Sequence, residues 1–283
     1  MTILRCGRHR IDLSSPCVMG IVNVTADSFS ADGRPDPEAA IAHARRLLAD
    51  GAGIVDVGGE STRPGAASVP EDIELGRVIP VVEALAADGA VVSVDTMKPA
   101  VMRAAVAACA SMVNDVTALA ATGAIEAVAE SGAAVCLMHM QGEPRTMQQA
   151  PHYAEVVGEV RAFLAARAQS CRAAGIGADR IVVDPGFGFG KTVAHNLDLL
   201  RRLDAITDLG FPVLAGLSRK STLGAITGRG VGERLSASVA AALAAALRGA
   251  RILRVHDVRE TVDALAVWRA IDPWTGLQLR KGM

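Results

Sequence analysis

The sequence predicts a closed (β/α)8 barrel in one domain. Two observations carry that prediction. Short β-rich apolar runs alternate with Ala-, Leu- and Arg-rich helical segments eight times over, and every run carries, or is followed directly by, a hydrogen-bonding or charged residue near its end. Near-continuous apolar strands separated by helices indicate a parallel sheet covered by helices. Eight such units in one chain favour closure over an open doubly wound sheet, which more often has five or six strands and one dominant Gly-rich turn.

The strands are read at 17–23, 54–58, 91–95, 112–116, 134–139, 181–184, 212–217 and 252–256. Helices are expected at 37–50, 71–87, 98–109, 122–131, 153–174, 195–207, 233–248 and 258–270. Asp36-Pro37, Pro70-Glu71, Thr96 ahead of Lys98-Pro99, and Asp257 mark helix starts, since Pro after a capping residue suits a first helical turn. Residues 2–13 read as a hairpin turning near Gly7 that plugs the barrel bottom. The expected organisation is therefore one domain over 1–283, with the hairpin in 1–14 and the barrel in 17–272. The stretches 24–36 and 59–70 are long loops after the first two strands.

Composition narrows the function. With 29 Lys plus Arg against 30 Asp plus Glu, the net charge is −1, and the chain has only 8 aromatics (5 Phe, 2 Trp, 1 Tyr). Nucleic-acid binding needs a basic footprint and usually stacking platforms, so no nucleic-acid partner is expected. No run approaches the ~18 apolar residues of a membrane span, and the first ten residues lack the apolar core of a secretory signal. The five cysteines are widely spaced with no C-x-x-C pair, which suggests neither a disulfide framework nor a zinc site. A cytoplasmic protein is expected.

In such a barrel the site lies at the C-terminal ends of the strands. Asn23, Asp56, Asp95, Asn114 with Asp115, His139, Asp184, the Ser218-Arg219-Lys220-Ser221 run, and Arg254 with His256 occupy those ends. Burying so many polar groups without a ligand would be costly. Asp95, Asn114 and Asp184 offer acceptors suited to a planar, amidine-like edge, with Lys220 and Asn114 as donors to the same heterocycle. Arg63, Arg254 and His256, beside Thr62 and Asn23, suit a phosphate or diphosphate. Asp56, Glu60 and Asp115 are equally well read as framework ion pairs, and His139 as a satisfied core imidazole. The run DPGFGFGKT fails as a phosphate loop, because Pro185 stands where the first Gly belongs. Its glycines are read as a turn that lets Phe187 and Phe189 project near the site. The six histidines show no metal-ligand spacing.

The ordered motifs MGIVNVTADSFS (19–30), DVGGESTRPGA (56–66), SVDT (93–96), NDV (114–116), LMHMQGEPRTMQ (137–148), DPGFGFGK (184–191), GLSRKS (216–221) and RVHDV (254–258) resemble those of the dihydropteroate synthases. The resemblance implies a pterin-binding (β/α)8 barrel and a folate-pathway transferase. The amine of 4-aminobenzoate would displace diphosphate from (7,8-dihydropterin-6-yl)methyl diphosphate, giving 7,8-dihydropteroate. By similarity, Asp95, Asn114, Asp184 and Lys220 hold the pterin, and Asn23 contacts a Mg²⁺ ion that bridges to the diphosphate. Thr62, Arg63, Arg254, Val255 and His256 attend the diphosphate region. Pro64, Phe189, Lys220 and Ser221 shape the aminobenzoate subsite, where sulfonamides compete in the family. The reacting groups would be Lys220, Asp95, Asp184 and Arg254. A homodimer is also implied.

Two departures stand out. The first loop reads Thr25-Ala26-Asp27-Ser28-Phe29-Ser30-Ala31-Asp32-Gly33, so Ala26 replaces the family's Pro and Ala31 its Asp. Cys109 stands where a helix-ending Gly is usual. A pterin-binding paralogue without turnover is the alternative from another class. A methyltransferase of the same superfamily is disfavoured, because Arg254, His256 and the SRKS loop provide for a diphosphate.

Overall fold

The computed structural model describes residues 2–25, 36–62 and 65–271. The first-loop substitutions Ala26 and Ala31, together with Arg63 and Pro64, lie outside these residues. Strands β1 (Ile3–Cys6) and β2 (His9–Asp12) form an antiparallel hairpin. Eight further strands form the barrel: β3 (Cys17–Asn23), β4 (Ile54–Gly58), β5 (Val92–Asp95), β6 (Met112–Asp115), β7 (Ala134–Met138), β8 (Ile181–Asp184), β9 (Val213–Ala215) and β10 (Ala250–Val255). All eight are parallel in sequence order, and β10 closes on β3. The expected fold and the N-terminal hairpin are both present.

The barrel's inward and outward residues alternate along each strand, as a period of two requires. Along β4, Val55 and Val57 join the apolar layer between barrel and helices, whereas Ile54 joins a separate interior cluster. That interior cluster takes one residue from most strands, including Met19, Met112, Val182, Leu214 and Ile252, and is closed below by Leu4, Cys6 and Leu13 of the hairpin region. Two residues further along four of these strands the inward position turns polar. Ile54 gives way to Asp56, Met112 to Asn114, Val182 to Asp184 and Ile252 to Arg254. The apolar layer is a floor, and the polar layer stands on it facing the strands' C-terminal ends.

The outer ring comprises α1 (Pro37–Ala49), α2 (Glu71–Ala87), α3 (Pro99–Ala107), α4 (Ala124–Ala129), α5 (Val156–Ala173), α6 (Val193–Arg201), α7 (Asp204–Thr207), α8 (Ser221–Thr227), α9 (Leu235–Leu247) and α10 (Val258–Ile271). Asp36 caps α1 through Glu38 and Ala39 N–H. Pro70 precedes α2 without a side-chain cap, and Thr96 Oγ1 accepts from Lys98 N–H one turn before α3. Two expected helices differ. The 195–207 segment is two helices broken after Arg201, and a short helix, α8, precedes the one expected at 233–248. No helix among the described residues is long and apolar enough to cross a membrane.

Cys109 follows α3 in the left-handed region, with φ +69°. The Ala110 N–H reaches back to Ala105 O at 2.8 Å, and the Cys109 N–H bonds to Val106 O at 3.0 Å. This is the helix-ending geometry in which Gly costs least, and it explains why a Gly suits the position. Left-handed backbone costs an L-residue roughly 1–2 kcal/mol, partly offset by the greater unfolded-state freedom of Gly. Cys109→Gly should therefore stabilise the fold by about 0.5–1 kcal/mol. Urea denaturation would show a higher midpoint at unchanged slope, and a lower midpoint would refute this account.

Candidate active site

The polar layer is built around one guanidinium. Arg254, on β10, reaches across the barrel mouth. Its Nε donates to Asp56 Oδ2 at 2.6 Å and its NH2 to Asp95 Oδ2 at 2.7 Å. Asn114 Nδ2 also donates to Asp56 Oδ2, at 3.0 Å. Asp56 has no solvent exposure, and its Oδ1 has no hydrogen-bond partner. The acidic and cationic sets therefore interlock rather than face each other. The Arg254 charge, which the sequence sorting offers to an anion, is spent on two carboxylates. Because its amide nitrogen is held by Asp56, Asn114 turns its oxygen to other donors.

Asp184 ends β8, and its Oδ1 accepts the Gly186 N–H at 2.7 Å, which leaves lone pairs of the second oxygen for a ligand. Lys220 lies across from it, at the start of α8. A β-carbon on Gly216 would stand 3.8 Å from Arg254 Cβ and 3.9 Å from Lys220 Nζ, so the two cationic side chains flank that glycine. Burial pushes the Asp95 carboxyl up to about 7, against the pull of Arg254 and with help from Asp56, Asp115 and Glu74. Asp184 is raised by burial too, opposed by Lys220. Burial lowers Lys220 to about 8, against the pull of Asp184. These groups act on one another across one cavity mouth.

The run 184–191 is a glycine turn that folds over this layer. Gly186 has φ +68°, and a β-carbon there would lie 1.9 Å from His139 O, so no other residue fits. Gly188 has φ +81°, and its missing β-carbon makes room for the Lys220 stem. Lys220 Nζ donates to Phe187 O and sits 4.6 Å from the centre of the Phe189 ring. Phe189 thus lines the mouth as expected. Phe187 does not: its side chain is 1% exposed and packs in the apolar core, and only its carbonyl faces the site. The reason is the turn itself, since the left-handed glycines at 186 and 188 reverse the chain around Phe187 and send residues two apart to opposite sides.

The remaining expected residues are placed as follows. Asn23 is half-buried at the end of β3, and Thr62 is half-buried in the loop after β4. Ser221 is exposed at the start of α8. Ser218 Oγ lies 3.0 Å from His256 Nδ1 and accepts the His256 N–H at 3.2 Å. The Val255 side chain packs in the layer between barrel and helices, so only its backbone is open to a ligand. Asp115 is framework, accepting from Thr117 and from the Leu119 N–H at 2.8 Å. Glu60 is framework as well: Lys98 ties it to the buried Glu74, and its Oε2 accepts the Val69 N–H at 3.2 Å, across the base of the 59–70 loop. His139 is a core imidazole, edge-on to Phe163 at 5.0 Å. Lys191, whose ammonium meets His139, was not marked as a site residue by the sequence reading.

The family described as pterin binding enzyme matches residues 19–256. The dihydropteroate synthase of Escherichia coli K12 is 51% identical over 262 residues, covering 92% of this chain and 93% of the relative. This chain belongs to the dihydropteroate synthase family. Among solved structures, Xanthomonas albilineans dihydropteroate synthase with 4-aminobenzoic acid superposes with a TM-score of 0.91 at 54% identity, covering 96% of this chain and 98% of that one. Burkholderia cenocepacia dihydropteroate synthase complexed with 7,8-dihydropteroate gives 0.88 at 52% identity, covering 95% and 96%.

Removing the guanidinium alone should leave two deep carboxylates unpaired. Arg254→Met should cost about 3–5 kcal/mol. Adding Asp56→Asn to that variant should recover at least about 1 kcal/mol, because one uncompensated charge is gone. Urea denaturation at pH 8 of the single and double variants measures this coupling. Strictly additive losses would mean that the pair carries no mutual stabilisation.

Proposed function

We propose that this chain catalyses the dihydropteroate synthase reaction. The observation that carries the reading is the single barrel mouth in which Asp95, Asn114 and Asp184 present acceptors between Arg254 and Lys220. A pterin's 2-amino-4-oxo edge carries the planar donors such acceptors bind. Asp184 would take the amino group and its ring N–H neighbour. Lys220 would donate to the ring, while Arg254 holds Asp56 and Asp95 in place. Phe189, Pro64, Lys220 and Ser221 would form the 4-aminobenzoate subsite at the rim. Thr62, Arg63, the Val255 backbone and His256 would meet the diphosphate.

In the reaction the arylamine nitrogen forms a bond to the pterin methylene carbon as the carbon–oxygen bond to diphosphate breaks. The nitrogen then loses one proton, which passes to solvent or to the released diphosphate. Positive charge developing on the methylene spreads into the ring, where Asp95 and Asp184 favour it. The arylamine is already nucleophilic, so the residues supply position and field rather than a dedicated base.

Mg²⁺ fits the donor set in one sense only. Among the described residues no group of three or more His, Cys, Asp or Glu could hold a metal. Mg²⁺ commonly keeps several waters and is bound through few protein oxygens plus substrate phosphates. The Asn23 amide oxygen, at the end of β3, suits that role beside a diphosphate. The ion would supply charge neutralisation to the leaving group. A homodimer and a cytoplasmic setting belong to the same reading.

Turnover is tested by incubating the protein with the pterin diphosphate, radiolabelled 4-aminobenzoate and Mg²⁺. Labelled dihydropteroate supports the reading. Tight pterin binding without product would favour the non-catalytic paralogue, which the comparisons do not support.

The pH dependence is specific. The folded Asp95 carboxyl titrates near 7 rather than at 3.8. Its contribution to stability is therefore greatest below 3.8 and is lost as pH rises towards about 7. Pterin N–H donors want the ionised form. Affinity for 6-hydroxymethylpterin should rise with pH up to about 7 and then level off. Asp95→Asn should weaken binding and flatten the profile. Fluorescence titrations from about pH 5.5 to 8.5 bracket that ionisation, and an unchanged profile in the variant would exclude Asp95 as its source.

A further inference from the structure

Lys191 is a lysine with only 3% exposure, and its ammonium is surrounded by acceptors. Nζ lies 3.0 Å from His139 Nδ1, 3.3 Å from His139 O, 2.9 Å from Gly186 O and 3.0 Å from Phe189 O. An ammonium has three N–H donors and no acceptor, so this cage uses all of them. The glycine turn creates the need. Positive φ at Gly186, Gly188 and Gly190 turns carbonyls inward where no strand or helix can satisfy them, and each buried orphan would be costly. Burial lowers Lys191 to about 7 and drives His139 down to about 3. The imidazole is therefore neutral and accepts at Nδ1, and Asp184 pulls the Lys191 value back up against burial.

The turn, in turn, positions Lys220. Phe187 O accepts from Lys220 Nζ, and the Phe189 ring lies beneath that same nitrogen. Lys191 bonds directly to the carbonyls of Gly186 and Phe189, the residues on either side of this contact. Other supports hold the outer edge of the turn: Tyr153 OH donates to Gly190 O at 2.8 Å, and Asn196 Oδ1 accepts the Gly188 N–H at 2.7 Å. Gln148 Nε2 donates to Gly188 O from the segment after β7, and the Lys191 cage is the link among the described residues between the turn and His139 at the end of β7 itself.

We propose that Lys191 is a positioning residue for the arylamine half of the reaction, setting the 185–190 turn and, through it, the place of Lys220 and Phe189 at the mouth. The inference rests on the reading of that mouth as the pterin and aminobenzoate site. Of the residues that hold the pterin in that reading, Asp95 and Asn114 belong to strands outside the turn, while Asp184 touches it through one backbone N–H and Lys220 through Phe187 O, so the pterin keeps half of its contacts when the turn shifts. Loss of Lys191 should therefore separate the two substrates.

The experiment compares wild type, Lys191→Ala and Lys191→Arg. In Lys191→Ala the KM for 4-aminobenzoate should rise about tenfold or more, while the Kd for 6-hydroxymethylpterin stays within about threefold. Propylammonium added to that variant should lower the aminobenzoate KM again, because it returns a cation with three donors to the cage. Propanol, of similar size with one donor, should not. Should Lys191→Ala fail to fold, Lys191→Arg carries the test: a planar guanidinium keeps the charge but misplaces its donors, and the same split is expected at about fivefold. Equal losses for both ligands, no loss for either, or equal rescue by propanol would overturn the proposal. A wild-type protein that binds pterin but forms no dihydropteroate would instead refute the reading of the mouth.

Discussion

Three carboxylates stand at the top of a barrel whose lower interior is apolar but for Ser93 among the described residues, and everything else at the mouth follows from keeping them there. A carboxylate moved into such surroundings is costly unless a cation and hydrogen bonds accompany it. Asp56 is the extreme case, fully buried and held by Arg254 and Asn114. Arg254 serves Asp95 with its other edge, which one planar fork can do and a lysine cannot. Among the described residues Asp184 has no such cation in direct contact. It relies on the Gly186 N–H and on the fields of Lys220 and Lys191. The two halves of the mouth are thus held differently: the β4–β5–β10 side by one guanidinium bridging two carboxylates, the β8 side by backbone and charges at longer range.

That asymmetry explains the glycine turn. To bring backbone N–H and two lysines near Asp184 without adding side chains, the chain must double back tightly over β8. Left-handed residues at 186, 188 and 190 accomplish this. The cost is a set of inward carbonyls, which Lys191 and Lys220 collect. A single feature of the backbone therefore supplies both the donor that Asp184 needs and the anchor for the cation opposite it. The same economy holds at the 59–70 loop. There Glu60 bonds across its base to Val69 N–H and is itself tied through Lys98 to Glu74.

The barrel was legible because its signal is repeated. Each of eight strands reads as a short apolar run, and each carries, or is followed directly by, a polar group near its end, so one misjudged boundary does not alter the topology. The polar layer was legible for the same reason, through the period of two that puts Ile54 and Asp56 on one face. What escaped were contacts with no local signature. Nothing in the order of residues says that Arg254 bonds to Asp56, 198 positions away. Phe187 and Phe189 are chemically alike and two apart, and only the turn's geometry sends one inward and one outward. Lys191 ends a motif that mimics a phosphate loop, which draws attention to its charge and away from the carbonyls that consume it. The α8 helix was missed because seven residues, two of them Thr and one Gly, give too short a pattern for helical periodicity.

The charge count at the mouth bears on how diphosphate leaves. Asp56, Asp95 and Asp184 are matched by Arg254, Lys220 and Lys191, three against three. The buried layer is close to neutral before any substrate arrives, and its cations are already bonded to protein acceptors. A departing diphosphate adds several negative charges, which this layer cannot neutralise without uncovering a carboxylate. Under the proposed reaction the compensating charge must come from above the layer. The candidates are His256 beyond β10 and an ion held at Asn23, with Arg63 expected from the sequence alone. Pterin recognition is then a property of the rigid barrel, and leaving-group stabilisation a property of the loops. Under that reading the two can change independently.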